Sequence, residues 1–263
     1  MKNRLKQVAR PVLSTLKFVG IDVRETLKLR HFVWYLAEAV KFRKLGGRIT
    51  HIFPVLGEAG QQAGTARGHY FHQDLLVANF VFKNAPTRHV DIGSRIDGFV
   101  AHVATFRKIE VLDIRPLEID AHDNIAFIEA DLMKIDSRLE AMSDSVSCLH
   151  VIEHFGLGRY GDKLDPDGHK KAIGNIISLL KPGGTLYISF PIAAKNKLHF
   201  NAHRVFHPRD IFSWNEAVKE LELLRFDYVD DVGDLHKDVD LKSFEYDQKY
   251  GCGIYTFKKL SNS

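Results

Sequence analysis

The sequence predicts an α/β protein built on a doubly wound sheet of seven strands, most of them parallel, with N-terminal helices in addition. Two observations lead to this prediction. Short apolar runs alternate with helical patterns between residues 69 and 218, and strands that alternate with helices form parallel sheets. The last two apolar runs are separated by a polar loop without a helical pattern. They are therefore expected to pair as an antiparallel terminal hairpin.

Each element follows from its own pattern and from the residues that interrupt it. The Lys-Pro-Gly-Gly segment 181–184 ends a helix and precedes an apolar strand that Pro191 ends, because proline and glycine interrupt regular structure. The predicted strands are the run that ends at Asp91, Ile109–Asp113, Ala126–Ala130, Ser145–Leu149, Thr185–Phe190, Leu221–Val229 and Cys252–Lys258. The predicted helices are His69–Asn84, Gly98–Arg107, Leu132–Ala141, Lys170–Leu180 and Pro208–Val218.

The N-terminal segment is strongly basic. Residues 1–48 contain twelve Lys and Arg against three Asp and Glu, whereas the whole chain carries a net charge of +4. Apolar residues recur at helical spacing over 29–40, and a glycine pair then ends the helix. We therefore predict a basic helical cap over residues 1–84 and a main domain over 85–263. Either the cap packs on the main domain with its lysines in water, or its basic helices contact an anionic membrane surface.

Composition excludes several classes of protein. The chain is 45% hydrophobic and 27% charged, as is usual for a globular protein, and no apolar run reaches the ~20 residues that span a membrane. Lys6, Arg10 and Lys17 interrupt any apolar signal core, while Cys148 and Cys252 lie in apolar runs typical of buried, reduced thiols. We expect a cytoplasmic protein. Basic and aromatic residues are not interleaved, which argues against a nucleic-acid partner.

The stretch Thr87–Val100 carries the strongest functional signal. A β-prone run ends at Asp91 and Gly93, a short polar turn follows, and Gly98 opens an apolar helical pattern. This strand, turn and helix form the arrangement with which a Rossmann-like sheet presents backbone N–H groups to a nucleotide-like ligand. Asp113 ends the next strand, 22 residues after Asp91, which is the offset at which such folds bind ribose hydroxyls.

The order of these pieces resembles the class I S-adenosylmethionine-dependent methyltransferases. The glycine turn, the acids that follow the second and third strands, the run 149–154 and the Lys-Pro-Gly-Gly turn carry the resemblance over residues 85–260. More closely, HVDIGSRIDGFVAHVA, SCLHVIEHFGLGRYGD and FNAHRVF are similar to a poorly characterised methyltransferase-like family, once catalogued as a nematode-type domain of unknown function. Bacterial members tend to lie among surface-polysaccharide genes. The resemblance implies O-methylation of a sugar or other polar hydroxylated acceptor in surface-glycan biosynthesis, with S-adenosyl-L-methionine as the cofactor.

The same resemblance implies which residues contact the cofactor. In this class the first turn holds the methionine part, the next acid holds the ribose and the acid after the third strand faces the adenine. The corresponding positions here are Asp91, Gly93, Ser94, Arg95, Asp113, Ile114, Asp131, Leu132 and His150. Arg95 and Asp97 stand where the class usually has glycine, and their side chains crowd the backbone approach that glycine permits. We expect Arg95 to contact the methionine carboxylate; the alternative is a degenerate cofactor site.

Residues 150–154 supply candidates for the chemistry. His150, Glu153 and His154 fall at i, i+3 and i+4, so on a helix they would share one face. We predict that His154 is the general base, because a histidine with a pKa of about 6.5 can take the proton of an acceptor hydroxyl. Two alternatives stay open. The three side chains could bind a divalent metal that lowers the pKa of the hydroxyl, or they could be structural.

Polar clusters after the fourth and fifth strands are predicted to bind the acceptor, because ligands bind beyond the carboxyl ends of parallel strands. Their fixed donors suit a polar small molecule or a glycan better than a lipid. Together with one residue before the first strand, the predicted set is His72, Arg159, Tyr160, Asp162, Asn201, His203 and Arg204. The competing hypotheses are a non-catalytic Rossmann-like scaffold or ligand-binding subunit, and a nicotinamide oxidoreductase. The latter is disfavoured because no Gly-x-Gly-x-x-Gly pattern occupies the first turn.

Overall fold

A computed structural model describes most of the chain. The described residues are 17–18, 20, 22–117, 122–134 and 137–261. The chain divides into two units, Met1–Thr65 and Ala66–Ser263. The helix over His69–Asn84, which the sequence analysis assigned to the N-terminal cap, belongs to the second unit. Within the described ranges, no helix combines the length and the hydropathy that a membrane crossing requires.

The described part of the first unit contains two short α-helices and an irregular segment that follows them. Helix α1 covers Val23–Lys28, a 3-10 turn covers Leu29–His31, and helix α2 covers Phe32–Lys44. The predicted end of this helix at the glycine pair agrees with the structure, because α2 ends two residues before Gly46, which has a φ of +88°. Glycine adopts that left-handed conformation without the strain that a side chain would add.

The second unit is built on a sheet of eight strands in the order β3-β2-β1-β4-β5-β10-β8-β9. The strands are β1 His89–Ile92, β2 Ile109–Asp113, β3 Ile125–Glu129, β4 Ser143–Leu149, β5 Leu180–Ile192, β8 Leu221–Val229, β9 Leu235–His236 and β10 Gly251–Lys259, while β6 Lys197–His199 and β7 His203–Val205 form a separate pair. Five strands, which are neighbours in the order β3-β2-β1-β4-β5, run parallel to one another. β10 runs antiparallel between β5 and β8, so the predicted antiparallel pairing is confirmed.

The predicted count of seven strands is wrong by one. The additional strand is β9, which has two residues and pairs with Tyr228 and Val229 near the end of β8. A strand of two residues is too short to give a periodic pattern in the sequence, because an alternating pattern needs at least about four residues to be recognised.

The described residues of the second unit also form three α-helices: α3 His69–Asn84, α4 Ala101–Ala104 and α5 Gly168–Ser178. The helix predicted over Gly98–Arg107 is shorter than expected. A π-helical turn over Ile96–Val100 precedes α4, with non-helical backbone at Gly98.

Two predicted α-helices do not form. Within the predicted helix Leu132–Ala141, the described residues contain only a 3-10 turn at Ser137–Leu139, with 135 and 136 outside the described ranges. The predicted helix Pro208–Val218 is replaced by 3-10 turns at Asp210–Ser213 and Glu216–Glu220. Between these turns the Asn215 side chain accepts the Ala217 N–H at 2.9 Å. Such a side-chain bond begins a new turn instead of continuing the previous one.

Apolar side chains cover both faces of the sheet. On one face Val77 and Val81 of α3 join a buried cluster, and on the other Ile173 and Ile176 of α5 do so. Full burial of each such side chain contributes about 1.5–3 kcal/mol. Helices on both faces leave the carboxyl ends of the parallel strands as the place where a ligand reaches the sheet.

Candidate active site

A pocket opens at the carboxyl ends of β1, β2, β3 and β4. The empty space inside it, counted out to the open solvent at its mouth, is about 580 Å³. The lining residues are Ile92, Gly93, Leu112, Asp113, Ile114, Arg115, Ala130, Asp131, Leu132, His150, Val151, His154, Phe155, Tyr160 and Asp162. Six of the nine predicted cofactor residues line this pocket, as do the predicted base His154 and two of the predicted acceptor residues, Tyr160 and Asp162.

The turn after β1 is organised by the buried carboxylate of Asp91. Ser94 donates to it from its N–H at 3.0 Å and from its hydroxyl at 2.8 Å, and the Ser147 hydroxyl donates at 2.5 Å. Burial raises the pKa of Asp91 to about 6, and the bonds from Ser147 and Ser94 oppose this shift. Asp91 and Ser94 therefore hold the turn in place and do not line the pocket.

Gly93 meets the pocket through its backbone. Its φ is +63°, a conformation that glycine adopts without strain, and its N–H donates to the Leu112 carbonyl at 2.9 Å. A Cβ at this position would lie 3.0 Å from the Val151 side chain. The positive φ therefore favours glycine here, and a side chain at this position would also press on Val151.

Arg95 does not line this pocket. Its guanidinium donates to both carboxylate oxygens of Asp97, at 3.0 and 2.7 Å, and both side chains are exposed. The expected contact of Arg95 with a methionine carboxylate does not agree with this pairing. The sequence analysis missed this ion pair, because it treated Arg95 and Asp97 only as replacements for two glycines and did not consider that their opposite charges could pair.

Asp113 lies in the pocket but already has a partner that the sequence analysis did not consider. Arg115 donates to it from the backbone N–H at 2.9 Å, from Nε at 3.0 Å and from Nη2 at 2.5 Å. The guanidinium also lies over the Tyr160 ring, 4.4 Å from its centroid. The hydrogen bonds that the guanidinium donates to Asp113 are the main reason that the pKa of Arg115 is raised.

The far side of the pocket combines an acid with apolar walls. Asp131 accepts the Met133 N–H at 3.0 Å and pairs with Lys134 at 3.1 Å. The apolar residues that line the same pocket are Ile92, Leu112, Ile114, Ala130, Leu132, Val151 and Phe155. A flat, largely apolar ring with one polar edge would fit such a wall, because the acid offers the edge a hydrogen-bond acceptor.

His154 is neutral and oriented. Its Nδ1 lies 2.6 Å from the Ala202 carbonyl, and because a carbonyl only accepts, Nδ1 carries the proton and Nε2 carries a lone pair. Burial lowers the pKa of His154, Arg159 and His150 lower it further, and Glu153 and the Ala202 carbonyl oppose this shift. A histidine that is neutral near pH 7 with a free lone pair can accept a proton.

Glu153 lies between the two histidines of the predicted group. His150 Nδ1 is 2.9 Å from Glu153 Oε1, and His154 Nε2 is 3.8 Å from the same oxygen. The predicted helical face does not form, because only Ile152–His154 is helical, as a 3-10 turn, and His150 has a φ of +55°. The ligand-competent group found among the described residues contains His150 but neither Glu153 nor His154.

The loop after this turn is organised by Asp162. Its carboxylate accepts the N–H groups of Gly156, Gly158 and Tyr160, at 2.8, 3.2 and 3.2 Å. Arg159 donates to the Ala202 carbonyl at 3.1 Å. Asp162 therefore fixes the loop that carries Tyr160, and it also lines the pocket.

The other predicted acceptor residues lie outside the pocket lining. His72 is half-buried on α3 and packs edge-on against Phe71. Asn201 is exposed in the turn between β6 and β7 with a φ of +61°. His203 stacks on His199, with ring centroids 4.9 Å apart, and is edge-on to His154 at 6.4 Å.

The structure gives Arg204, a predicted acceptor residue, a different set of partners. The residue is 7% exposed, and its guanidinium donates to the carbonyls of Phe155 at 2.7 Å and Pro166 at 3.0 Å, with longer bonds to those of Glu153 and Asp165 at 3.4 Å. Its donors are used to hold the backbone on both sides of the Asp162 loop. The sequence gives no signal for this role, because every partner is a main-chain oxygen.

Replacing Arg204 with methionine is expected to destabilise the fold by about 2–5 kcal/mol, since buried carbonyls lose charged donors. Urea unfolding monitored by circular dichroism measures this change. Arg209→Met is the matched control, because Arg209 also donates to three carbonyls but at a more exposed position, and we expect a smaller loss. A fully stable Arg204→Met variant would contradict the structural role.

Comparisons with known proteins agree with this architecture. The model of a family described as "Caenorhabditis protein of unknown function, DUF268" matches residues 99–212, which confirms the similarity that the sequence segments indicated. No curated protein matches the chain.

Solved structures share the fold. The [4+2]-cyclase SpnF aligns with a TM-score of 0.53 at 13% identity, covering 78% of this chain and 91% of its own. The N-methyltransferase NodS of Bradyrhizobium japonicum WM9, in complex with S-adenosyl-l-homocysteine, aligns with a TM-score of 0.50 at 14% identity, covering 73% and 88%. The chain therefore has the Rossmann-like fold of class I methyltransferases. Because that fold also occurs in a cyclase, the function has to be argued from the site.

Proposed function

We propose that this chain is an S-adenosylmethionine-dependent methyltransferase that methylates a hydroxyl of a sugar or another polar, hydroxylated acceptor. The observation that carries the proposal is the single pocket in which the glycine turn, the acids after β2 and β3, and His154 converge. In this proposal the glycine turn serves the methionine part of the cofactor, the two acids serve its ribose and adenine, and His154 serves as the base. All of them lie at the edge of the sheet where ligands bind in this kind of fold.

The pocket residues fit the cofactor. Gly93 leaves the space that a Cβ would fill beside Val151, so the methionine part can approach the main chain. Asp113 offers carboxylate oxygens to the ribose hydroxyls once the Arg115 side chain withdraws. The walls around Asp131 accept the adenine ring and its exocyclic amine.

The chemistry needs little else from the protein. Bound S-adenosylmethionine supplies a methyl group that is already activated by its sulfonium. The protein has to orient the acceptor and remove its proton as the bond forms, a contribution of typically about 10²–10⁴-fold. In this proposal, His154 removes that proton at Nε2, with Nδ1 held by the Ala202 carbonyl.

The acceptor class is inferred from the polar rim of the site. Tyr160 is 37% exposed, and Arg159 lies beside it, with its guanidinium 5.2 Å from the ring centroid. Fixed hydroxyl and guanidinium donors suit a hydroxylated or anionic molecule. The resemblance of the sequence to a family found near surface-polysaccharide genes supports a glycan or a glycan precursor as the acceptor.

Calorimetry with the purified chain tests this proposal. We expect binding of S-adenosylmethionine and S-adenosylhomocysteine and no binding of NAD. Gly93→Ala should abolish cofactor binding, because a side chain at this position fills the turn. Gly183→Ala is the matched control, since Gly183 also has a positive φ but a Cβ there would meet its nearest neighbour, Ser261 Oγ, only at 3.8 Å, and it should bind normally. Binding of NAD instead would indicate an oxidoreductase, and binding of neither ligand would indicate a scaffold.

A further inference from the structure

A second group of side chains lies beside the pocket, where three elements meet. His69 is on the first turn of α3, His150 follows β4, and Cys252 is on β10. Their nitrogen and sulfur atoms all lie within 4.8 Å of one another, and they form the one ligand-competent group found within the described ranges. His150 and Cys252 are buried, and His69 is half-buried.

In its neutral form, His150 has a lone pair that faces this group. Nδ1 lies 2.9 Å from Glu153 Oε1; a carboxylate accepts, so the one proton of a neutral ring sits on Nδ1 and Nε2 carries the lone pair. Nε2 is buried and has no hydrogen-bond partner, and the side chain is 4% exposed. A carboxylate that holds one histidine nitrogen while the other faces the site is the usual arrangement around a histidine that binds a metal.

Neighbouring residues hold His150 in a strained position. Its φ of +55° is uncommon for a residue with a side chain, and such strain occurs most often at functional sites. The His69 ring stacks on it, with centroids 5.3 Å apart and 12° between the planes, and Tyr70 packs against it at 5.0 Å. The His150 N–H also points to Ser189 Oγ at 3.1 Å. The histidine is therefore oriented before any ligand binds.

Cys252 is tied to the same framework. Ser189 Oγ donates to Gln73 Oε1 at 2.6 Å, and Cys252 Sγ lies 3.8 Å from the same oxygen. Gln73 is on α3, four residues after His69. The same helix therefore carries His69 and, through Gln73, orients the Cys252 thiol. The Cys252 thiol forms no disulfide and is fully buried.

We propose that His69, His150 and Cys252 bind a Zn²⁺ ion whose fourth position is open. Two imidazoles and a thiolate are ligands that zinc favours, whereas Mg²⁺ and Ca²⁺ prefer oxygen. Bonds of about 2.0–2.3 Å at tetrahedral angles separate ligand atoms by roughly 3.3–3.6 Å. The three ligand atoms, which now lie within 4.8 Å of one another, therefore need to approach by at most roughly 1.2–1.5 Å. Because three protein ligands leave one position free, and because His150 also lines the candidate cofactor pocket, the open position lies next to that pocket.

Metal titration of the full chain tests the proposal without cofactor or acceptor. After dialysis against a chelator, the wild-type protein should take up one Zn²⁺ per chain, and Co²⁺ should give the absorption band of a thiolate bound to cobalt. Cys252→Ser and His69→Gln should each weaken zinc binding by about 100-fold or more, and Cys252→Ser should lose the cobalt band. Glu153→Gln should weaken it by about 10–100-fold, because Glu153 orients His150.

Cys148→Ser is the matched control, because Cys148 is also fully buried and lies on β4, outside the group. It should bind zinc as the wild type does. Thermal unfolding separates loss of binding from loss of folding: zinc should raise the Tm of the wild type and of Cys148→Ser but not that of Cys252→Ser or His69→Gln. The proposal is overturned if the wild type takes up no stoichiometric zinc, or if Cys252→Ser binds it as tightly as the wild type. Neither readout depends on methyl transfer, so the two proposals can fail separately.

Discussion

Replacing His154 with alanine is expected to lower kcat by about 10²–10⁴-fold, because the acceptor hydroxyl loses the group that takes its proton. The affinity for S-adenosylmethionine should change little. Steady-state rates at saturating cofactor, together with calorimetry of the variant, measure the two effects separately. His102→Ala is the control, since His102 is exposed on α4 and is not part of the pocket lining. A near-normal rate in His154→Ala would exclude the general base.

The pH dependence of the wild-type rate follows from the same assignment. Only neutral imidazole accepts a proton, so the rate should fall as the pH decreases through the pKa of His154. Because burial lowers that pKa, the fall should begin below the ordinary histidine value of about 6.5. The charged and titratable groups around the imidazole are Glu153, Arg159, His150, His203 and Tyr160. A rate that already falls through pH 7 would contradict the lowered pKa.

Replacing Asp113 with alanine is expected to weaken S-adenosylmethionine binding by about 2–4 kcal/mol, since charge-assisted hydrogen bonds to the ribose are lost. This corresponds to roughly 30- to 700-fold in Kd. Glu110→Ala is the matched control: Glu110 is on the same strand and also forms a two-bond pair with an arginine, Arg88, but it is not part of the pocket lining. Retained affinity in Asp113→Ala, measured by calorimetry, would remove Asp113 from the cofactor site.

Local patterns predicted the parts of the fold that depend on neighbouring residues. The bounds of β2, β8 and α3 agree with the prediction, because apolar periodicity and terminating residues act over a few positions. Gly93 and Asp113 were found in the same way, since a glycine turn and an acid at a fixed offset are local features. The two helices that did not form lie where side-chain and backbone bonds such as that of Asn215 compete with helix propagation.

Two of the features that the sequence did not reveal depend on contacts between distant residues. Arg204 bonds to carbonyls some 40 to 50 positions away, and carbonyls are present at every residue, so no pattern marks them. His69 and Cys252 lie 183 positions apart in the chain. They meet because β10 lies between β5 and β8 in the sheet, and because α3 packs on the face of the sheet to which Cys252 belongs. The Asp97 partner of Arg95 is local, and a search for charge pairs would have found it.

The pairing of Arg115 with Asp113 has a consequence for the order in which ligands bind. In the proposed complex, ribose hydroxyls that bond to Asp113 replace the two hydrogen bonds from the Arg115 guanidinium. The free energy of cofactor binding then contains the difference between the hydrogen bonds gained from the ribose and those lost from Arg115. The guanidinium also lies over the Tyr160 ring, on the rim that the proposed function assigns to the acceptor. Under that proposal we expect the cofactor to free this cation for an anionic group of the acceptor, and the two ligands therefore to bind in order, with the cofactor first.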